Sequence, residues 1–167
     1  VFGELLREAT PAPAVTDRLE VRDIDPDDVE AISRLLYENY GLSYGHPDFY
    51  RPVWLAGEID AGRVRSTVAV VGGEVIGHHA LLVGEGEAAA ETGIAVVHPA
   101  YRGIGVFDRL FTRTVERATD AGLPAMFGRA VTVHPYSQRS ELAHGYREAA
   151  LLLGMVPAKM TMAGIAE

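Results

Sequence analysis

The spacing of apolar positions alternates between two periods along the chain. A helical period appears first in residues 25–41, where Val29, Ile32, Leu35 and Leu36 fall on one face. Asp25 stands where a cap is wanted and Pro26 fits the first helical turn. Asp27 and Asp28 suit the positive end of the helix dipole, and Gly41 suits the stop. The period returns in residues 106–122, with Val106, Leu110, Phe111, Val115 and Ala118 on one face and Gly122 as stop. Between these helices, residues 65–83 form two β-rich runs around Gly72-Gly73, the strongest hairpin signal in the chain. Residues 19–24, 88–97 and 125–133 read as further strands. Residues 49–62, 136–145 and 1–9 read as shorter helices. Residues 146–154 read as a last strand, and the tail from 157 either adds an edge strand or frays. Prolines 11 and 13 mark residues 10–18 as a linker.

The order implies a mixed α/β domain, with early strands joined by hairpins and later ones through helices. The expected organisation is a helix and linker over 1–18, one folded domain over 19–157 and a tail over 158–167.

Composition narrows the chemistry. The 167 residues suffice for one domain with a real core, and 48% of them are apolar. A net charge of −8 disfavours nucleic acid and anionic membranes, and favours a cationic substrate. No apolar run is long enough to span a bilayer. The absence of cysteine removes disulfides and thiolate chemistry and agrees with a cytoplasmic location. The histidines lack metal-site spacing, so no metal is expected. The chain begins at Val1, which agrees with a piece cut from a longer protein.

The segment HPAYRGIGVF, residues 98–107, joins an apolar strand to an amphipathic helix. Glycines at such a junction expose backbone amides, and the helix start adds unpaired donors with partial positive charge. Together they make an anion site suited to phosphate, to which Arg102 adds a forked donor. A tight turn carrying a surface arginine explains the same residues equally well. A Walker loop is excluded because no Gly-Lys-Ser/Thr ending follows, and a dinucleotide fingerprint because Asp108 stands at its third small position.

The stretch VVHPAYRGIGVF resembles the pyrophosphate loop of the GNAT superfamily of acyl-CoA N-acyltransferases, Arg/Gln-x-x-Gly-x-Gly/Ala, with Arg102 and Gly105 in register. YENYG, GEVIGHHALL, TGIAVV, the following helix and a late Gly-Tyr occur in that family's order, covering residues 19–157. The resemblance implies the GNAT fold, a mostly antiparallel mixed sheet flanked by helices. It implies acetyl-CoA as cofactor and transfer of its acyl group to a small-molecule or peptide amine by direct attack. It leaves room for a homodimer and for fusion to another domain. It assigns cofactor binding to Arg102, Gly103, Ile104, Gly105, Val106 and Phe107. Val96 or Val97 would supply the backbone amide for the oxyanion, on a strand edge that also holds the pantetheine arm. Phe107 departs from the family's small residue, and either crowds the pyrophosphate or turns into the core.

Within that expectation Glu91, at the start of the central strand, is the expected base, against the reading of a solvated strand-end carboxylate. His78 and His79 alternate across a strand, so at most one faces a cleft; His79 is the candidate, against a structural role. The family's usual acid Tyr is Glu141 here and its usual Asn is His134, so Tyr136, with His134, either stands in as acid or plays a capping or loop role before the short helix. Tyr40, Tyr44, Phe49 and Tyr50 form either an acceptor wall or core packing. Arg109, Arg113 and Arg117 reach phosphate or line a solvated helix face. GLSYG, residues 41–45, matches a hydrolase nucleophile pattern around Ser43 but follows a helix rather than a strand. The rival to an enzyme is a non-catalytic ligand-binding module of the same fold.

Overall fold

A computed structural model describes residues 18–84, 86, 88–132 and 135–155. The helix and linker expected before residue 18, the tail, and His134 lie outside the described residues. Five strands form one sheet whose spatial order repeats their chain order. They are β1 (Leu19–Asp23), β2 (Val64–Val71), β3 (Glu74–Leu82), β4 (Ala89–Val97) and β5 (Ala125–Gly128). The first four are antiparallel neighbours, and β5 lies parallel to β4. Helices α1 (Val29–Tyr40) and α2 (Pro52–Asp60) pack on one face, and α3 (Val106–Asp120) on the other. The short α4 (Tyr136–Ala143) follows β5. The expected mixed sheet flanked by helices is therefore present.

The alternation seen in the sequence splits the core into two layers. Ile32, Leu36, Phe49 and Leu55 meet Val68, Ala80, Ile94 and Val96 under α1 and α2. Val106 and Leu110 meet Ala69 and Ile76 under α3. At Gly77 of β3 a Cβ would lie 2.9 Å from Leu110 Cδ1 and 3.2 Å from Val106 Cγ1. A side chain here would push away the first turns of α3. Polar ties supplement the packing. Arg22 grips the buried Asp28 at 2.6 Å, and the Asp25 amide donates to the same carboxylate at 2.8 Å. Burial opposes ionisation of Asp28, but these two donors outweigh it and hold its carboxyl below the usual range.

Three expectations change. The buried face of α3 uses Thr114 where the period gives Val115, because the Thr114 hydroxyl donates to the Leu110 carbonyl at 2.9 Å and so is satisfied. The strand expected over 125–133 ends at Gly128. The strand expected over 146–154 is absent: these residues are irregular, with Leu151 and Leu153 70% and 84% exposed. Among the described residues no strand lies along the outer edge of β5, and an apolar run without a ladder partner gains nothing by extending.

His78 and His79 are both in the core, one on each face of β3. Burial lowers the His78 pKa to about 4 and the His79 pKa to about 3, the latter with help from the charges of His78 and His144. An unfolded chain protonates histidine near pH ~6.5. The unfolded state therefore binds these protons first, and stability is complete above that pH and falls as pH drops through it. Each histidine costs about 1.4 kcal/mol per pH unit. Urea midpoints should fall steeply between pH 7.5 and 5.5; a flat midpoint would contradict the burial of both rings. Gly77→Ala should lower stability by about 1–3 kcal/mol, measured by thermal melting, through overpacking against Leu110.

Candidate functional site

The site is built where β4 loses a neighbour. Its first half pairs with β5 from Ala89↔Ala125 to Thr92↔Gly128. Beyond Thr92, Gly93 to Val97 have no strand partner on that side among the described residues. On the other side β4 stays paired to β3, with His78 opposite Val96 and Ala80 opposite Gly93, so β4 holds one extra residue there. Ile94 takes up the distortion at φ +51°, a conformation that costs a β-branched residue of order 1–3 kcal/mol. Two strands that part in this way leave a slot bordered by the exposed backbone of β4.

At the end of β4 the chain makes a short turn at Pro99–Tyr101 and enters α3 through Gly103 and Gly105. Both glycines have positive φ, +78° and +81°, and nothing lies within 4 Å of the place their Cβ would occupy. The loop is thus open above the start of a fifteen-residue helix. The first amide of α3 seen bonding back is that of Arg109, to the Gly105 carbonyl at 3.2 Å. A helix start leaves its first amides without intrahelical partners. This fits an anion such as a pyrophosphate. Val106 is buried and Ile104 half-buried.

Arg102 is the loop's positive charge, but its side chain turns back. Its Nε donates to the Val97 carbonyl at 3.1 Å and its Nη2 to Asn39 Oδ1 at 2.7 Å. It therefore ties the end of β4 to α1. Phe107, the bulky departure in the loop, turns toward the core: its ring meets His79 edge-on at 5.8 Å and Phe111 at 5.9 Å.

Beside the slot a cleft of about 670 Å³ is lined by His46, Phe49, Trp54, Glu91, Phe127 and Arg129. Glu91 is held by both nitrogens of the Arg129 fork, at 2.6 and 2.5 Å. Arg129 lies one residue beyond β5, on the side Glu91 faces. The hydrogen bonds it donates to Glu91 raise the Arg129 pKa against a smaller effect of burial. Of the aromatic group, Phe49 lines the cleft, while Tyr40 and Tyr44 stack at 5.0 Å in the core beside it.

The remaining candidates fall elsewhere. His79 lies under α3, 2% exposed, its Nδ1 2.9 Å from Thr114 Oγ1. It is neutral at ordinary pH and has no path to the cleft, so the structure gives it a packing role in place of base work. Tyr136 begins α4, 73% exposed and outside the cleft lining, because the first turn of α4 faces outward. Ser43 follows a helix and its hydroxyl donates to the Tyr40 carbonyl at 2.6 Å, which is not a nucleophile elbow. Arg113 and Arg117 tie α3 to Asp23, at 3.1 and 3.3 Å, rather than reaching for phosphate.

Sequence reasoning missed Tyr146 and Arg129. The Tyr146 hydroxyl donates to Thr92 Oγ1 at 3.3 Å, and Thr92 donates to the Phe127 carbonyl at 3.2 Å, at the last pair before β4 and β5 part. Burial raises the Tyr146 pKa, against the hydrogen bond to Thr92. Glu141 rests on Gly128, and burial raises its pKa. The Gly-Tyr that marked a strand was the available signal for Tyr146. For Arg129 a basic residue just past β5, two positions beyond Glu91's partner Phe127, was the signal.

Residues 6–131 match the family model described as an Acetyltransferase (GNAT) domain. Comparison with curated protein sequences gives no match. Among solved structures, a Trypanosoma brucei acetyltransferase aligns at TM-score 0.66 and 18% identity, over 83% of this chain and 99% of that one. The enzyme AAC(6')-Iy, crystallised with a CoA-acetylneamine bisubstrate analogue, aligns at TM-score 0.66 and 21% identity, over 81% and 95%. A Brucella melitensis ribosomal-protein-alanine N-acetyltransferase aligns at TM-score 0.61 and 17% identity, over 83% and 96%. These likenesses bear on the fold. No helix among the described residues is long and apolar enough to cross a membrane.

Inorganic pyrophosphate offers a direct check of the loop. Gly105→Ala should weaken its binding severalfold in calorimetric titration, because a Cβ at positive φ costs about 1–2 kcal/mol and shifts the loop. Equal binding by both proteins would place the anion elsewhere.

Proposed function

The chain belongs to the GNAT acetyltransferase family, and on that footing we propose that it transfers an acetyl group from acetyl-CoA to a primary amine. The observation that carries the reading is the parting of β4 from β5 directly before the glycine loop. A backbone edge and an anion site then follow each other in one line. The amides of Gly103 to Phe107 would hold the pyrophosphate, with Arg102 fixing the loop from behind. The edge of β4 through Val96 and Val97 would hold the pantetheine arm by strand-like hydrogen bonds. The AAC(6')-Iy complex supports a CoA-type ligand in this fold.

Bound acetyl-CoA supplies an activated carbonyl, and this chain's residues handle the protons. An amine of pKa near ~10 arrives protonated at neutral pH, so a base must take its proton, directly or through water. Glu91 serves as that base, at the cleft wall beside Phe49 and Trp54. The amide of Val96 or Val97 donates to the carbonyl oxygen as negative charge develops there. Tyr146, at the point where the strands part, takes the acid role in place of the exposed Tyr136 and gives a proton to the leaving sulfur. A non-catalytic ligand-binding module is the second reading. The bidentate hold of Arg129 on Glu91 favours it, because a carboxylate gripped on both oxygens is a poor acceptor of a proton.

Calorimetric titration with acetyl-CoA and with CoA comes first, followed by thiol release over an amine panel. Micromolar binding with turnover supports the enzyme; binding without turnover on any amine supports the module; absence of binding removes both. In an active protein, Glu91→Gln should lower kcat about 100-fold or more with little change in the KM for acetyl-CoA. An unchanged kcat would remove Glu91 from the mechanism.

A further inference from the structure

The irregularity in β4 requires a cause that its own sequence does not supply. Ile94 is a poor residue for φ +51°, and its side chain is locked in the core under α1 and α2, 4% exposed. Gly93, the residue that would tolerate the turn, lies next to it and does not take positive φ. An outside contact must therefore hold the Ile94 peptide in place.

That contact is His78. Its Nδ1 lies 2.8 Å from the Ile94 carbonyl, and its Nε2 lies 2.8 Å from Ser66 Oγ on β2. A carbonyl only accepts, so Nδ1 carries the proton and donates. The neutral ring then accepts at Nε2 from the Ser66 hydroxyl. The ring is fully buried and both its nitrogens are used. Ser66 is itself fully buried, so the tautomer is set from β2 on one flank of β3 and the peptide is held in β4 on the other flank. The Phe49 ring, 6.3 Å away, closes the apolar side.

We propose that His78 is a positioning residue for the acyl-CoA edge. By holding the Ile94 carbonyl it fixes the extra residue of β4, and so the direction in which Gly93 to Val97 present their backbone away from β3. A trans peptide carries its C=O and N–H on opposite sides, so anchoring one aims the other. The chain Ser66–His78–Ile94 thus runs from the middle of the sheet to the edge where the thioester would lie. This role rests on the acyl-CoA reading for its consequence, but not for its geometry.

The test separates the two. Backbone chemical shifts of Ile94 and Ala95, measured without ligand, report the positive φ. They should be lost in His78→Leu and largely kept in His78→Asn, whose amide nitrogen sits where Nδ1 does. For CoA, His78→Leu should weaken binding about tenfold, the equivalent of one lost buried hydrogen bond. His78→Asn should recover most of that loss. Val70→Ala, in the same core layer but on β2, with β3 between it and β4, should lower the melting temperature without changing the CoA affinity. If His78→Leu fails to fold, Ser66→Ala carries the same test, with a smaller shift at Ile94. Unchanged Ile94 shifts in His78→Leu, or in Ser66→Ala where that variant stands in, would overturn the proposal. So would a loss of affinity matched by Val70→Ala at equal stability. Wild-type protein that fails to bind CoA but shows the shift pattern would overturn the acyl-CoA consequence and leave the clamp standing.

Discussion

The structure depends on one strand being paired unequally. A β-strand in the middle of a sheet satisfies its backbone groups on both sides, and β4 does so only as far as Thr92. Past that point the polar backbone on one side must find water or a ligand. Everything around the slot follows from this. The bulge sets the direction of the unpaired edge, Arg102 closes the Val97 carbonyl at its far end, and Tyr146 stands at the near end through Thr92. The fold thus keeps an unsatisfied edge and covers it on both flanks.

The same edge explains why the polar core is acceptable. Ser66, Thr67, His78, His79 and Thr114 are all nearly or wholly buried, an unusual set for two adjacent strands and the helix packed over them. They do not form one cluster. Ser66 and His78 face α1 and α2, while Thr67, His79 and Thr114 face α3, and each group is closed by its own hydrogen bonds. The two groups occupy the layers between which β4 changes register.

Much of the fold was legible because it depends on near neighbours. The hairpin at Gly72-Gly73 and the stop at Gly41 are local matters, and so are the glycines before α3. The site was less legible, because its parts meet across long separations. Glu91 was readable as a carboxylate on a strand, but its pairing with Arg129 exists only once β5 lies beside β4. The alternation rule sent His78 and His79 to opposite faces correctly, yet it could not say that both faces are covered. Tyr136 and Tyr146 differ by ten residues in sequence; only the turn of α4 decides which approaches Thr92. Residues 146–154 show the opposite failure: their apolar run suits a strand, but strand formation needs a partner that the run itself does not encode.

The correspondence between chain order and sheet order has a consequence for how the domain assembles. Pairing β2, β3 and β4 proceeds by near neighbours, with β2 and β3 joined by a two-residue turn, while β1 reaches β2 only across residues 24–63. The β4–β5 contact instead waits for the whole of α3 to form and cross over the sheet, since parallel strands cannot be joined by a tight turn. Loop-closure entropy therefore falls on both outer strands, across residues 24–63 for β1 and residues 98–124 for β5, and β5 is the one that completes the site. A β2–β3–β4 meander carrying an unfinished edge is the natural precursor, and the slot becomes two-sided only when β5 docks. The groups that meet across that junction, Glu91 with Arg129 and Thr92 with Phe127, belong to the late-forming and early-opening part of the molecule.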